Sequence, residues 1–493
     1  MINQLLKRTA RDSVIYLPSM IIPAAVGIIT IRIFTEIFSQ EEMGQYFLAL
    51  STMGLTKVFS VIWLSTSVLR FYLNYKQSGK NDQFLTTLSV ASFLSATIVS
   101  GLLMIVLLIF RMHFEPDLFR LLQLVALVTV FISFFEVFVI IFRANFEPPK
   151  YVFLWVLYSI GKPITGIILV VVYQKSIMSL FWGILFVSFL LDLFVFFYLK
   201  LYKYLRYQNL NYVLIKEFFR YGVPLAISNL SFWVLTFSDR YILEFYRSSF
   251  EVGIYSVGYS ISEKVLTFAF TVMMLAAYPI IIEHWESSGD QSTQLLISKL
   301  TRYYFILFFP ALIILFALPE NVFLLFANAK FIQGANILPF VATGFFCLGL
   351  TQYVAKGFEL HKKSIFITKL ALTAGIINIA MNFVLIPLFG YWGAAINCAL
   401  SFLIYLFLTV NYVKRVMPWK VPYSSLFRIC FAGLGMFLFF KATTWMVSLN
   451  WFSLILVLAA GGMLYIAILL VIGEFSHEEK RLIKRFASFA HEK

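Results

Sequence analysis

The chain opens one apolar segment with Glu42-Met43-Gly44-Gln45-Tyr46, and about 209 residues later it opens another with Glu251-Val252-Gly253-Ile254-Tyr255. In each copy an arginine precedes the motif, Arg32 in the first copy and Arg240 in the second, at the end of the previous apolar segment. A second echo, at about 212 residues, relates 144–147 to 356–359. Two echoes at nearly the same offset indicate an internal repeat.

The composition places this repeat in a membrane. The 493 residues are 61% apolar and 13% charged, whereas a soluble domain is about half apolar and about a quarter charged. Apolar runs of about twenty residues recur along the chain, which predicts an all-α integral membrane protein with about 14 transmembrane helices. The predicted spans are 13–34, 44–68, 84–110, 118–142, 151–173, 177–199, 219–240, 252–282, 302–318, 335–355, 364–387, 391–413, 424–447 and 451–472.

Six predicted spans separate the two copies of the motif. Because six is an even number, both copies enter the membrane in the same direction, which is the parallel class of repeat. We therefore predict two six-helix lobes in parallel pseudo-repeat, 1–200 and 219–413, joined by a cytoplasmic connection over 201–218. Two extra transmembrane helices over 414–472 follow. A basic segment with apolar residues at helical spacing predicts a cytoplasmic amphipathic tail over 473–493.

The formal net charge of +15 is a topology signal. Most of the 39 Lys and Arg residues fall on the side of the membrane that holds both termini. The positive-inside rule therefore predicts that both termini are cytoplasmic. Because the positive charge is spread along one membrane side, we do not expect nucleic-acid binding.

Sequence features of enzymes and metal proteins are missing from the chain. It has no Gly-Lys-Ser/Thr loop for a nucleotide, and its five His residues form no ligand spacing for a metal. The three cysteines all fall inside apolar segments. We therefore expect neither an enzyme, nor a metal site, nor an organic cofactor.

Basic residues inside the spans are candidates for substrate binding. An ionisable side chain in the apolar membrane core costs free energy, so its presence there indicates a function or a charged partner. A cationic cavity would neutralise an anionic headgroup such as a phosphate or diphosphate. The alternative is structural ion pairing for the deep lysines, and snorkelling to the interface for the arginines. The candidates are Arg32, Lys57, Lys162, Arg240 and Lys264.

Acidic residues in or near the spans are candidates for ion coupling. One of them could bind a coupling H⁺ or Na⁺, and the alternative for each is a salt bridge to a lysine or arginine of another helix. The candidates are Glu136, Asp192, Asp239 and Glu263.

The two motif copies resemble those of the Wzx-like polysaccharide-unit flippases. That family belongs to the MOP transporter superfamily, which also holds the MATE drug exporters and the lipid II flippases. The resemblance covers about 13–413 and implies a MATE-like fold. It also implies that an undecaprenyl-diphosphate-linked oligosaccharide is exported by alternating access across the bacterial cytoplasmic (inner) membrane, for O-antigen, capsule or exopolysaccharide biosynthesis. By the same analogy, Arg32 and Arg240 would be cavity cations, and the two extra helices would form a groove for the lipid tail.

Several readings remain open. The chain could be a lipid II or teichoic-acid-unit flippase, or a MATE-like exporter of small molecules, although lysines in the spans favour an anionic substrate. A membrane polymerase or ligase of lipid-linked sugars is disfavoured, because no outward loop is long enough to carry catalytic groups. The expected partners are the lipid-linked oligosaccharide, membrane lipids and polysaccharide polymerase machinery.

Overall fold

The structure is a computed structural model that describes residues 15–446, 450–477 and 479–481. Most of the predicted amphipathic tail, 482–493, lies outside the described residues. The long helices are α1 (Pro18–Ile37), α2 (Gln40–Gln77), α3 (Asn81–Ile109), α4 (Pro116–Ala144), α5 (Pro148–Val172), α6 (Ile177–Tyr198), α7 (Tyr212–Tyr246), α8 (249–288), α9 (290–317), α10 (Leu338–Val354), α11 (Ile365–Phe389), α12 (Tyr391–Val413), α13 (Tyr423–Met446) and α14 (Trp451–Val471).

The number of helices agrees with the predicted number of spans. Within the described residues, 12 helices are long and apolar enough to cross a membrane, if Ser249–Ala317 is counted once. Gly289, with φ 71° and ψ −171°, divides that helix into α8 and α9. The remaining helix is α7, whose 35 residues include the polar Ser228, Asn229 and Ser231 in the middle. The prediction of about 14 spans in an all-α fold is thus confirmed.

Two stretches between predicted spans are helical over more of their length than the span boundaries indicate. Residues 283–301 fall between the predicted spans 252–282 and 302–318, and α8 and α9 continue as helix through them up to the break at Gly289. The predicted connection 201–218 contains the short helix Leu201–Tyr204 and the 3₁₀ turn Tyr207–Asn209, and α7 already begins at Tyr212. Apolar runs mark the part of a helix that lies inside the membrane, but they do not show how far the helix continues beyond it.

The repeated motif forms a reciprocal helix contact. A Cβ added to Gly44 in α2 would meet the carbonyl oxygen of Ser249, one helical turn before Gly253 in α8. A Cβ added to Gly253 would meet the carbonyl oxygen of Gln40, one helical turn before Gly44. The two copies therefore pack main chain against main chain at their glycines, an approach that only small residues allow.

This contact predicts the effect of a methyl group at either glycine. We expect Gly44→Ala and Gly253→Ala each to lower the free energy of unfolding by about 1–3 kcal/mol, because overpacking forces backbone shifts. Gly101→Ala and Gly462→Ala are the matched controls, since a Cβ at either position meets no atom within 4 Å. Thermal unfolding of the purified protein in detergent measures all four. Equal midpoints for the two pairs would contradict the reciprocal contact.

The chain divides into two compact units. One unit comprises Met1–Val257 and Thr368–Ser401, and the other comprises Gly258–Ile367 and Phe402–Lys493. These units do not follow the predicted lobe boundaries, because α8, α11 and α12 each pass from one unit to the other. The division into lobes at 1–200 and 219–413 stays a prediction.

In the second unit, Arg302 of α9 anchors the segment that follows α14. Its guanidinium lies 2.6 Å from Glu474, whose side chain is fully buried, and 2.8 Å from Glu479. Arg428 of α13 approaches Glu474 at 3.4 Å. Burial raises the pKa of Glu479, but hydrogen bonds from Arg302 and Tyr303 outweigh it and lower the pKa to about 2. The stabilising charge on Glu479 is therefore present above its ordinary pKa of 4.5 and is lost only as the pH falls toward 2.

Candidate functional site

Lys57 and Glu136, predicted for two different roles, form one ion pair between α2 and α4. The Lys57 ammonium lies 2.5 Å from Glu136 Oε1. Both side chains are largely buried, with 26% of Lys57 and 10% of Glu136 exposed. The geometry fits the alternative of structural pairing, since an opposite charge stabilises an ion inside an apolar helix bundle.

The residues around this pair fix how α2 lies on α4. Two hydroxyl pairs join the same helices on either side of the ion pair. These are Thr56 with Thr129 at 2.9 Å and Ser60 with Ser133 at 2.8 Å. Directly after Lys57, α2 passes through a π-helical turn, Val58–Ile62. A π turn inserts an extra residue and often occurs at functional sites. Beyond it α2 faces α7, where Ser67 donates to the carbonyl of Phe218 at 3.2 Å.

Lys162 lies on α5 and Asp192 on α6. The Lys162 ammonium lies 4.9 Å from the centre of the Tyr158 ring, one helical turn earlier in α5. The Tyr158 hydroxyl faces Ser188 of α6 and is within electrostatic reach of both Glu136 and Asp192. One oxygen of Asp192 is buried without a hydrogen-bond partner among the described residues. Tyr158 thus lies near Lys162 of its own helix and within electrostatic reach of two of the predicted carboxylates.

Asp239 and Arg240 are both buried near the end of α7. Asp239 has no exposed surface, and Arg240 is 2% exposed. Tyr255 of α8 donates its hydroxyl proton to one carboxylate oxygen of Asp239. The other oxygen has no hydrogen-bond partner among the described residues. Arg240 donates to Ser256 at 3.1 Å and to the carbonyl of Thr236 at 2.7 Å. These two bonds join its guanidinium to both α7 and α8.

A buried network of neutral polar residues adjoins Asp239 in the sequence, and the search for ionisable residues missed it. Ser238, the residue before Asp239, donates to Asn378 of α11 at 3.0 Å. Asn378 also bonds to Asn382, Asn397 and Ser401, at 2.9–3.2 Å. The side-chain oxygen of Asn382 is buried without a described donor. Asparagines spaced by four residues within an apolar span were the sequence signal for this network.

The remaining candidates have different surroundings. Arg32 pairs with Glu36 of its own helix at 2.7 Å, and its side chain is 37% exposed. Lys264 and Glu263 of α8 are half-buried, and neither makes an ion pair or hydrogen bond with another described residue. At the offset of the motif, the position that matches Lys57 is Leu266, so Lys264 lies two residues earlier in its helix.

The chemistry that these groups can perform is binding of ions and anionic headgroups. Buried acceptor oxygens that lack donors are costly, and a proton or a small cation would satisfy them. Among the residues that the structure describes, no group of three or more His, Cys, Asp or Glu could hold a metal ion.

Comparison with known proteins gives one family. The sequence model of the family described as "Polysaccharide biosynthesis protein" matches residues 9–285, which is more than half of the chain. A search of curated proteins finds no match.

Comparison with solved structures identifies the fold. A structure described as "Lipid II flippase MurJ, inward closed conformation" is 15% identical and has a TM-score of 0.72, and the match covers 94% of this chain and 98% of that chain. The MATE multidrug transporter DinF-BH is 17% identical with a TM-score of 0.59, and the match covers 83% of this chain and 95% of that chain. An inward-facing multidrug resistance MATE family transporter of the MOP superfamily is 14% identical with a TM-score of 0.58, and the match covers 81% of this chain and 95% of that chain. At these identities the likeness establishes a shared fold.

Proposed function

Because this chain belongs to the polysaccharide biosynthesis protein family, we propose that it moves an undecaprenyl-diphosphate-linked oligosaccharide from the inner to the outer leaflet. The chain is a multi-pass membrane protein with a MOP-superfamily fold, and its family and structural neighbours are flippases and transporters. The product would serve O-antigen, capsule or exopolysaccharide biosynthesis at the bacterial cytoplasmic membrane. Alternating access is the mechanism that a repeat of this class supports.

The family match, over more than half of the chain, is the observation that carries this proposal. The extent of the structural matches supports a lipid-linked substrate over a drug. The lipid flippase aligns with 94% of this chain, whereas the two drug transporters align with 81–83%. The structure has α13 and α14 after its first twelve long helices, and these two would form the groove for the lipid tail.

The predicted cations remain candidates for the diphosphate headgroup. Lys162 and Lys264 are half-buried in apolar helices, where a charge-assisted hydrogen bond to phosphate is strong. Lys57 can serve the substrate only if its contact with Glu136 is exchanged during transport. Arg32, at the end of α1, would meet the headgroup at the predicted outward end. Arg240 is buried among α7 and α8, so its contribution would need those helices to separate.

The proposed coupling ion, H⁺ or Na⁺, is assigned to Asp239. Asp239 combines complete burial with an oxygen that lacks a described donor. Asn382, in the network that Ser238 joins, also has a buried side-chain oxygen without a described donor, and amide oxygens of this kind bind small cations. Glu136 is less suited, because it already forms an ion pair with Lys57. Glu263 is also less suited, because it is only half-buried. Asp192 is the second candidate, because one of its oxygens is also buried without a described donor.

Transport by the purified protein in liposomes tests the substrate. We expect protein-dependent movement of a polyprenyl-diphosphate-linked oligosaccharide, measured by its exposure to an added glycosidase. Lipid II and a cationic dye are the matched substrates. The oligosaccharide should move at least about tenfold faster than lipid II, which corresponds to about 1.4 kcal/mol of discrimination. Dye efflux without lipid movement would identify a drug exporter, and faster movement of lipid II would reassign the flippase.

A further inference from the structure

Three helices of the first unit, α2, α3 and α7, enclose an apolar groove. The groove has a volume of about 460 Å³, and all thirteen residues that line it belong to that unit. It is open on its outer side, since the lining residues Ile98 of α3 and Phe219 of α7 are 58% and 60% exposed. Because α3 is long and apolar enough to cross a membrane, the open side faces the hydrocarbon chains of lipids.

The walls of the groove keep their polar groups to themselves. Ser95 and the indole of Trp63 supply the polar side-chain atoms of the thirteen lining residues. Trp63 Nε1 donates to Ser95 Oγ at 3.1 Å, and this hydroxyl donates to the carbonyl oxygen of Phe59 at 3.4 Å. A polar ligand in the groove would therefore lose its hydrogen bonds to water without gaining others. The groove fits a hydrocarbon chain.

Close packing between α2 and α7 holds the groove in shape. A Cβ added to Gly222 of α7 would collide with the carbonyl oxygen of Trp63, so the two main chains touch there. The rings of Trp63 and Phe219 meet edge to face, with their centroids 6.0 Å apart. Ser67 also donates to the carbonyl of Phe218 at 3.2 Å. These contacts join protein to protein, so the groove is formed before a chain binds, which lowers the cost of binding.

The groove runs from the predicted cytoplasmic surface to the middle of the membrane. Along α7 its lining extends from Ile215 to Leu230, which is about 22 Å at about 1.5 Å per residue. Half of the hydrocarbon core is about 15 Å thick, and Leu230 lies at the centre of the predicted span 219–240. The groove therefore faces the cytoplasmic leaflet, from which the proposed substrate is taken.

Three basic residues lie at the predicted cytoplasmic mouth of the groove. Lys216 and Arg220 of α7 are one helical turn apart, and each directly follows a lining residue. Arg70 of α2 lies two helical turns beyond Trp63, on the same face. All three are exposed, and none makes an ion pair or hydrogen bond with another described residue. Glu217, beside Lys216, accepts from a tyrosine of α2 at 3.5 Å. The mouth thus offers positive charge to an anionic headgroup.

We propose that this groove binds the chain of a polyprenyl-diphosphate lipid in the cytoplasmic leaflet, with the diphosphate at Arg70, Lys216 and Arg220. A phospholipid has two chains and one phosphate in its simplest headgroup, whereas a polyprenyl diphosphate has one chain and two phosphates. The second composition matches a single groove with three cations at its mouth. This inference rests on the proposed function and adds the place where the substrate is held before its headgroup moves. Neither α13 nor α14 contributes a lining residue, so the groove is a second lipid contact.

Photo-crosslinking of the full-length protein in phosphatidylcholine nanodiscs tests the position of the chain. The nanodiscs also contain undecaprenyl diphosphate and phosphatidylglycerol in equal amounts, and p-benzoylphenylalanine replaces either Ile98 or Phe93. Phe93 is the matched control, because it is also 58% exposed but lies about 140° away around α3. We expect at least about tenfold more polyprenyl adduct, identified by intact mass, at position 98 than at position 93. Equal yields at both positions, or more phosphatidylglycerol than polyprenyl adduct at position 98, would overturn the proposal.

Charge variants test the headgroup contact. Lys216→Gln with Arg220→Gln should lower the yield of polyprenyl adduct at position 98 about ten- to a hundredfold, as loss of charge-assisted hydrogen bonds implies. Lys363→Gln with Lys414→Gln is the matched control, since both lysines are exposed and the pair removes the same charge from the predicted cytoplasmic side. An unchanged yield in the first double variant, or an equal loss in both, would reject the site.

The crosslinking result is independent of transport. A polyprenyl adduct at position 98 in a protein that moves no lipid-linked oligosaccharide in liposomes would support the groove and reject the proposed function. Oligosaccharide transport by a protein that forms no polyprenyl adduct at position 98 would reject the groove alone.

Discussion

Asp239→Asn should stop ion-driven export while the protein still folds. The amide preserves the size of the side chain and can still accept from Tyr255, but it cannot supply the negative charge that a proton or Na⁺ requires. Interactions with a charged group contribute about 1.5–3 kcal/mol each, so ion affinity should fall about ten- to a hundredfold. Export into liposomes, driven separately by a Na⁺ gradient and by a pH gradient, measures the loss and identifies the ion.

The control for this variant is Asp82→Asn, which changes an aspartate in the first turn of α3 and should export normally. A structural role for Asp239 as counter-charge to the adjacent Arg240 makes a different prediction. In that case Asp239→Asn would lower the amount of folded protein, and adding Arg240→Gln would restore both folding and export. Full export by Asp239→Asn, with unchanged ion dependence, would remove Asp239 as the coupling residue.

Glu136→Gln should strongly destabilise the protein, because it leaves the Lys57 ammonium without its carboxylate inside the helix bundle. Removing one partner of a buried pair costs about 3–5 kcal/mol. We therefore expect much less folded protein in the membrane and a lower thermal unfolding midpoint. Glu36→Gln is the matched control, since the Arg32–Glu36 pair is 37% and 46% exposed and such pairs contribute about 0–1 kcal/mol.

The double variant Lys57→Gln with Glu136→Gln separates structure from substrate binding. Both charges are then absent, so folding should recover. If Lys57 only neutralises Glu136, the double variant exports at the wild-type rate. If Lys57 also binds the diphosphate, the double variant folds but exports about ten- to a hundredfold more slowly. Normal folding of Glu136→Gln alone would contradict the ion pair.

The sequence was sufficient for the fold because apolar length and a repeated motif are local signals. The number of spans predicted from apolar length is confirmed by the helices of the structure. The reciprocal packing of Gly44 and Gly253 gives the repeat over 42–46 and 251–255 a physical meaning, because the shared spacing places each glycine against the other copy. The helix continuation through 283–301 was not predicted, since polar helices outside the apolar core lack a span signal.

The candidate site was less predictable, because charge partners depend on contacts between distant segments. Lys57 and Glu136 are far apart in the sequence, and only the packing of α2 on α4 pairs them. Asn378 and Asn382 were missed because they are neutral, and a search for ionisable residues passes over amides. His361 was seen only as a residue in a loop, since its contact with Asp290 joins segments that are distant in the sequence.

The reciprocal glycine contact also has an evolutionary consequence. After duplication of a gene segment, the two copies normally diverge independently. Here one contact contains both copies of the same glycine, so a larger residue in either copy damages the packing of both. Selection should therefore keep glycine at both positions 44 and 253 in related chains, long after the flanking residues have lost their resemblance. An alignment of such sequences with bulky residues at either position would show that the duplicated contact has been abandoned.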